Sequence, residues 1–268
     1  FLNMNALEAN FADAHHSFLI SQYIAPLWSG ASEWGLHFGE RLFWWVHILG
    51  IFAFLNYLPY SKHFHIILAF PNTYYANLEA KGRFENNAAV TKEVALMMDP
   101  SADPFAAPAP DADAPIERFG AKDANDLSWA NLLNAYTCTE CGRCTSECPA
   151  NLTGKKLSPR KIMMDTRDRI EEIGQNIATN GSFLDDGKSL LGDYITNEEL
   201  WACTSCNACV QACPVDIDPL NIIMKLRNFA TMEESSAPGA LNAMMTNVEN
   251  NGAPWPFNQM DRANWINE

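Results

Sequence analysis

The polarity pattern turns on a single unbroken apolar run. Leu42 to Leu58, LFWWVHILGIFAFLNYL, holds seventeen residues without a formal charge, at the lower edge of what crosses a bilayer as a helix. Extending the run to Phe38–Tyr60 adds length and sets Glu40 and Arg41 at head-group level. Trp44, Trp45, Tyr57 and Tyr60 stand towards its ends, where amphipathic rings favour an interface. A buried helix of a soluble protein is the alternative. Residues 1–40 carry no Lys or Arg, whereas Lys62, Lys81 and Arg83 follow the run. The positive-inside rule then puts the C-terminal side in the cytoplasm.

Beyond the run, apolar positions recur at helical spacing. Ser158-Pro159 leads through Ile162, Met163 and Ile170, and Asp218-Pro219 through Ile222, Ile223, Leu226 and Phe229. Ser or Asp followed by Pro starts a helix. The spacing predicts helices over Arg160 to about Ala178, over Leu127–Ala135, and arriving at Leu200-Trp201, with a turn at Gly181–Gly187. A short amphipathic helix is expected within Lys81–Met98, and another amphipathic piece at Phe18–Leu27. The fold class is therefore mainly α. Residues 98–118 hold five prolines among alanines and aspartates, a composition that favours extended linker.

The cysteines change the picture most. Cys138-x2-Cys141-x2-Cys144-x3-Cys148-Pro149 recurs as Cys203-x2-Cys206-x2-Cys209-x3-Cys213-Pro214, and together the runs use all eight cysteines. This is the bacterial spacing for [4Fe–4S] clusters, in which the fourth cysteine of one run ligates the cluster of the other. Three closely spaced thiolates wrap one cuboid, and the fourth, before proline, points away. The expected sets are Cys138, Cys141, Cys144 and Cys213 for one cluster, and Cys203, Cys206, Cys209 and Cys148 for the other. Structural zinc also draws on CxxC pairs, but it does not account for the CxxCxxCxxxCP frame appearing twice. Such clusters imply a reducing compartment, in agreement with the charge asymmetry. The 54 residues between Cys148 and Cys203 make this an enlarged, all-helical variant of the duplicated loop-and-helix plan.

His47 lies inside the apolar run and His65 follows eighteen residues later. In one continuous helix that is five whole turns, so both imidazoles would share a face, about 27 Å apart. Polar rings within a span are functional candidates, and histidine ligates haem iron. Such a pair suits a bundle with two stacked b-type haems. Alternatively, His63 and His65 are interfacial and His47 meets a polar neighbour. Pro59 falls between them and is expected to kink the helix, which works against a shared face. Phe43, Trp44 and Trp45 either line a quinone pocket or form an aromatic belt. Arg143 and Lys155-Lys156 beside the first run either tune it, contact a partner, or serve as solvated surface. His15, His16 and His37 carry no signal.

The stretch WWVHILGIFAFLNYLPYSKHFH (44–65) resembles the last membrane helix of the respiratory nitrate reductase gamma subunit and of the heterodisulfide reductase membrane subunit. That resemblance implies haem b ligation by His47 and His65, with further ligands from helices outside this sequence. His63 falls off the family's spacing. DLSWANLLNAYTCTECGRCTSECPA, LWACTSCNACVQACPVDIDPLNIIMKLRNF and APWPFNQMDRANW resemble the membrane-bound iron–sulfur oxidoreductases. That family includes heterodisulfide reductase C subunits, the iron–sulfur subunits of glycolate and lactate oxidation, and bacterial electron-transfer-flavoprotein:menaquinone reductases. Similarity extends over roughly residues 37–90 and 120–268. Larger members carry CCG cysteine motifs that are absent here, so the resemblance implies a separate CCG-type iron–sulfur subunit or an electron-transfer flavoprotein as partner, with a menaquinone pool.

The expected organisation is an extracytoplasmic loop (1–36), a membrane helix (37–60) closing a four- or five-helix haem b bundle, and a membrane-proximal cytoplasmic segment (61–97). A linker (98–118), a dicluster ferredoxin-like domain (119–236) and a tail (237–268) follow. Starting at Phe1 without methionine, the chain reads as the C-terminal part of a longer polypeptide, or as a single-span subunit docked on a haem subunit. The net charge of −14 makes nucleic-acid binding unfavourable. There is no dinucleotide-binding glycine fingerprint, P-loop or nucleophile elbow. The expected role is an electron relay in the cytoplasmic membrane, clusters facing the cytoplasm, with no bond-breaking site of its own. Two further readings are an electron-delivering subunit of a disulfide reductase and a membrane-tethered ferredoxin.

Overall fold

The computed structural model describes residues 2–11, 19–80, 82–99 and 118–266. Its described residues are mainly helical, with a lone bridge between Leu191 and Ile195 as the extended pairing among them. The chain divides into two compact units, Phe1–Phe64 and His65–Glu268. His15 and His16 lie outside the described residues, as does most of the 98–118 linker.

In the first unit, α1 (Leu2–Phe11) packs against α2 (Glu33–Tyr57). Ala6, Leu7 and Leu36 are buried there, and Leu7 lies where a Cβ on Gly39 would meet it. The stretch expected as an extracytoplasmic loop (1–36) thus contains a helix over Leu2–Phe11. The apolar positions of α1 have little helical periodicity, so its helix is held by tertiary packing that sequence alone does not reveal. α2 begins four residues before the expected start, because Ser32 caps it: the Ser32 Oγ accepts from the Gly35 N–H at 3.2 Å, with Glu33 in the first turn. With the 3₁₀ turn that follows, Glu33–Tyr60 is long and apolar enough to cross a membrane, and none of its apolar window is buried. Val46, Leu49, Phe52 and Leu55 stand exposed along it.

The helix does not continue to His65. It ends at Tyr57, passes into a 3₁₀ turn at Leu58–Tyr60 with Pro59 inside, and becomes extended at Ser61 (φ −120°, ψ 163°). Proline has no N–H for the helical ladder. His65 therefore opens a separate helix, α3 (His65–Tyr74). The five-turn, single-face relation between His47 and His65 is corrected accordingly.

In the second unit α3 packs with the cluster region. Asn72 Nδ2 donates to the Val215 carbonyl at 2.8 Å, and Tyr75 meets the Trp129 ring edge-on at 5.0 Å between centroids. α4 (Ala88–Met98) is shorter than the stretch expected to contain it. α5 (Trp129–Thr137) delivers the chain to Cys138, and α7 (Asn197–Ala202) delivers it to Cys203, starting from a Thr196/Glu199 capping box. The long helices α6 (Pro159–Asn180) and α8 (Pro219–Met232) follow the two runs. Ser158 and Asp218 cap them, each accepting from the N–H three residues on, with proline in the first turn. α9 (Gly239–Asn251) lies in what was expected to be tail, and ends at Gly252 in the left-handed region.

The core sits where α6 and α8 meet. Leu157, Ile162, Met163, Leu190, Ile195, Leu200, Ile222, Ile223 and Leu226 are fully enclosed. Each such side chain contributes about 1.5–3 kcal/mol. The chain enters this core at Gly120, so close to α8 that a Cβ would fall 2.2 Å from the Phe229 nitrogen and 2.6 Å from the Lys225 carbonyl oxygen. An ion-pair clamp sits beside it. The Arg169 side chain, wholly buried, donates to Asp123 at 2.7, 2.9 and 3.1 Å, to Asp186 at 2.6 and 2.9 Å, and to the Lys188 carbonyl at 2.9 Å. It ties α6 to the segments before α5 and before Leu190.

Candidate metal centres

The two cysteine runs share one backbone course. Cys138 ends α5 and Cys203 ends α7, both extended. The residues flanking each second cysteine are left-handed: Glu140 (φ 61°) and Gly142 (φ 82°) in one run, Ser205 (φ 55°) and Asn207 (φ 60°) in the other. Only glycine takes that region without cost, and asparagine tolerates it better than most residues. A single helical turn then carries the third cysteine, Arg143–Ser146 in one run and Ala208–Gln211 in the other. Left-handed turns of this kind aim N–H groups into the concavity they enclose. The Ser205 N–H donates to the Cys203 sulfur at 3.4 Å, and the Glu140 N–H supports Cys138 in the same way.

Two small cavities result. The first, about 80 Å³, is lined by Cys138, Cys141, Cys144 and Cys213, backed by Met163 and Ile217. The second, about 10 Å³, is lined by Cys148, Cys203 and Cys206, backed by Leu157 and Ile223. Each takes thiols from one run together with the closing cysteine of the other. Cys209 lies in both walls. Burial raises the pKa of Cys138, Cys144 and Cys203, and pushes Cys209 up to about 12. Thiols in such surroundings ionise when a bound cation compensates the lost solvation. No three His, Cys, Asp or Glu side chains among the described residues are grouped to hold one metal ion. A cuboid cluster makes a different demand, since its ligands surround a volume instead of converging on a point. The donor set and apolar walls fit two such clusters.

Each loop is also held from behind by an arginine, which sequence reading did not single out. Arg167 is the eighth residue after Pro159 in α6, and Arg227 the eighth after Pro219 in α8. The helices share burial in that register: Ile162 matches Ile222, Met163 matches Ile223, and Thr166 matches Leu226. Arg167 Nη2 donates to Glu140 at 2.7 Å. Arg227 donates to the Cys203 carbonyl at 2.6 Å, to the Leu200 carbonyl at 2.8 and 3.2 Å, and to Ser205 Oγ at 3.2 Å. Its guanidinium lies 4.9 Å from the Trp201 ring centre. Aligning the two helices from their prolines would have revealed the pair.

The remaining candidates are placed as follows. Arg143 is exposed at the rim of the first cavity, while Lys155 and Lys156 are exposed, Lys156 pairing with Glu198 at 2.7 Å. In the first unit His47 shares an open groove of about 420 Å³ with Phe43, Val46, Gly50, Ile51 and Phe54. Nothing lies within 4 Å of where a Gly50 Cβ would stand, so the groove is open at that position. Trp44 and Trp45 are outside it and pack edge to face, 5.0 Å apart. Two larger clefts, about 630 and 550 Å³, have no cysteine in their walls.

A duplicated thiol loop of this form defines a dicluster iron–sulfur protein. Residues 137–217 match the 4Fe-4S dicluster domain family. The chain is 31% identical to the probable iron–sulfur-binding oxidoreductase FadF of Bacillus subtilis, over 93% of this chain and 36% of that one. It is 29% identical to the EtfAB:quinone oxidoreductase of Syntrophomonas wolfei, over 85% and 31% of the respective lengths. A probable membrane-anchored ferredoxin of Chromohalobacter salexigens is 32% identical over 58% and 25%. Subunits C of heterodisulfide reductases match over a shorter stretch, 41% of this chain in one instance. The homologues are iron–sulfur oxidoreductases, the family that the motifs resemble. The chain spans about a third or less of the length of the three relatives described first.

Proposed function

We propose that the chain is the electron-relay part of a membrane-bound, quinone-linked oxidoreductase. Cys138, Cys141, Cys144 and Cys213 hold one [4Fe–4S] cluster, and Cys203, Cys206, Cys209 and Cys148 hold the other. The observation that carries this reading is the pair of thiol-lined cavities, each combining one run with the closing cysteine of the other. Each bound cluster supplies a site for one electron. The chain's own residues fix the thiols, exclude water with Leu157, Met163, Ile217 and Ile223, and offer inward N–H groups to sulfur, all of which set potential. Glu33–Tyr60 is the membrane anchor, with the cluster unit on the cytoplasmic side.

His47 and His65 are the proposed haem b ligands, completed by helices outside this sequence, and the open groove at His47 supports the first of them. Electrons then run between a cytoplasmic flavoprotein or CCG-type iron–sulfur subunit, the clusters, haem and a menaquinone pool. The similarity to an EtfAB:quinone oxidoreductase favours the flavoprotein. The match to heterodisulfide reductase C subunits supports the reverse direction, with delivery to a disulfide-reducing partner.

The test is anaerobic preparation of the intact protein, followed by iron, sulfide and EPR measurements on Cys213→Ser and Cys148→Ser. The first substitution should abolish one cluster's signal and the second the other's. Material with intact thiols but without stoichiometric iron and sulfide defeats the proposal. Reduction by a menaquinol analogue, compared with reduction by a reduced flavoprotein, gives the direction.

A further inference from the structure

The two loops differ at one position that bears on charge. Arg167 and Arg227 occupy the same register of their helices, and each hydrogen-bonds the loop that starts at the first cysteine of its run. The residue two places after that cysteine differs. In the first run it is Glu140, whose carboxylate meets Arg167 at 2.7 Å, both side chains about 15% exposed. In the second it is Ser205, whose uncharged hydroxyl accepts a hydrogen bond from Arg227 at 3.2 Å. Among the described residues no carboxylate lies within ion-pairing distance of Arg227, whose other partners are carbonyls and the Trp201 ring. Arginine stays protonated in proteins. One loop is backed by a cancelled ion pair, and the other by a half-buried, uncancelled cation.

We infer that this position, Glu140 against Ser205, sets a difference in reduction potential between the two centres. The inference rests on the cluster reading above. Reduction adds one negative charge to a centre, and a fixed cation of low exposure stabilises that charge, so Arg227 raises the potential of the Cys203 loop's centre. At the Cys138 loop, Glu140 removes most of the matching contribution. One electron passing from the first centre to the second leaves the first oxidised by one and the second reduced by one, with no proton or atom transferred. Arg143 and Arg160 at the first cavity and Asp218 at the head of α8 also contribute charge. They are unchanged by an exchange at 140 and 205, so the exchange isolates this contribution.

The experiment is a potentiometric EPR titration of the full-length protein carrying Ser205→Glu, Glu140→Ser or the near-isosteric Glu140→Gln. Signals are assigned through the Cys213→Ser and Cys148→Ser proteins. Glutamate fits at 205, because Glu140 already occupies the matching left-handed position. Ser205→Glu should lower the second centre's midpoint by about tenfold in the one-electron equilibrium, about 59 mV, and leave the first in place. Glu140→Ser and Glu140→Gln should raise the first centre's midpoint and leave the second. Unmoved midpoints in proteins that retain their iron and sulfide overturn the inference while leaving the relay reading intact. A parent protein without clusters overturns both.

Discussion

Replacing Arg169 by methionine keeps an unbranched apolar stem and removes the guanidinium and its charge from the centre of the clamp. Six hydrogen bonds to Asp123, Asp186 and the Lys188 carbonyl go with it. Breaking one side of a buried ion pair costs about 3–5 kcal/mol, because the partner charges are left uncompensated. The Asp123 and Asp186 side chains keep 15% and 25% exposure and recover some solvation, which places the cost at the lower end, about 3 kcal/mol. For a unit of this size each kcal/mol moves the midpoint by roughly 2–4 °C, so Tm should fall by about 6–12 °C. The assay is far-UV circular dichroism of the anaerobic, cluster-loaded protein. The acid limb offers a second readout. Hydrogen bonds from Arg169 hold Asp186 down at about 2. A carboxylate with a depressed folded pKa contributes stability that is complete above its unfolded value, near 3.9, and lost as pH falls through the folded one. The parent should therefore lose stability between about pH 4 and pH 2, and Arg169→Met should lose less there. A variant melting with the parent, with the same acid limb, would show that the clamp carries no stability.

Two other substitutions have direct readouts. Gly120→Ala drives a methyl into the backbone of α8 at Lys225 and Phe229, an overpacking cost of about 1–3 kcal/mol. A lowered Tm should appear, and an unchanged one would mean that residues 118–121 do not approach α8 this closely. His47→Ala in the assembled membrane complex should lower the b-type signal of a pyridine haemochrome assay. A full signal would return His47 to a structural role.

What the sequence made legible was local chemistry. Ser158-Pro159 and Asp218-Pro219 start their helices as expected, because a cap and a proline act within one turn. The cysteine frame declared its loops for the same reason. Missing from the reading was whatever needed partners far along the chain. Asp123 and Arg169 are 46 residues apart, and nothing in either neighbourhood indicates the other. α1 forms on the strength of a surface supplied by α2. The helix end before His65 had a local sign in Pro59, and the structure ends the helix at Tyr57, just before it.

Each run leaves its middle cysteine at the surface, Cys141 in one and Cys206 in the other, while Cys148 and Cys209 are buried. A group anchored there has one corner against bulk water and the rest enclosed. Tunnelling weakens steeply with distance, so in the proposed relay those corners would be the doors for a docking protein. Dioxygen arrives at the same doors. A partner seated over Cys141 or Cys206 would thus serve as a gasket as well as a conduit, and a chain stripped of it should bleach faster in air.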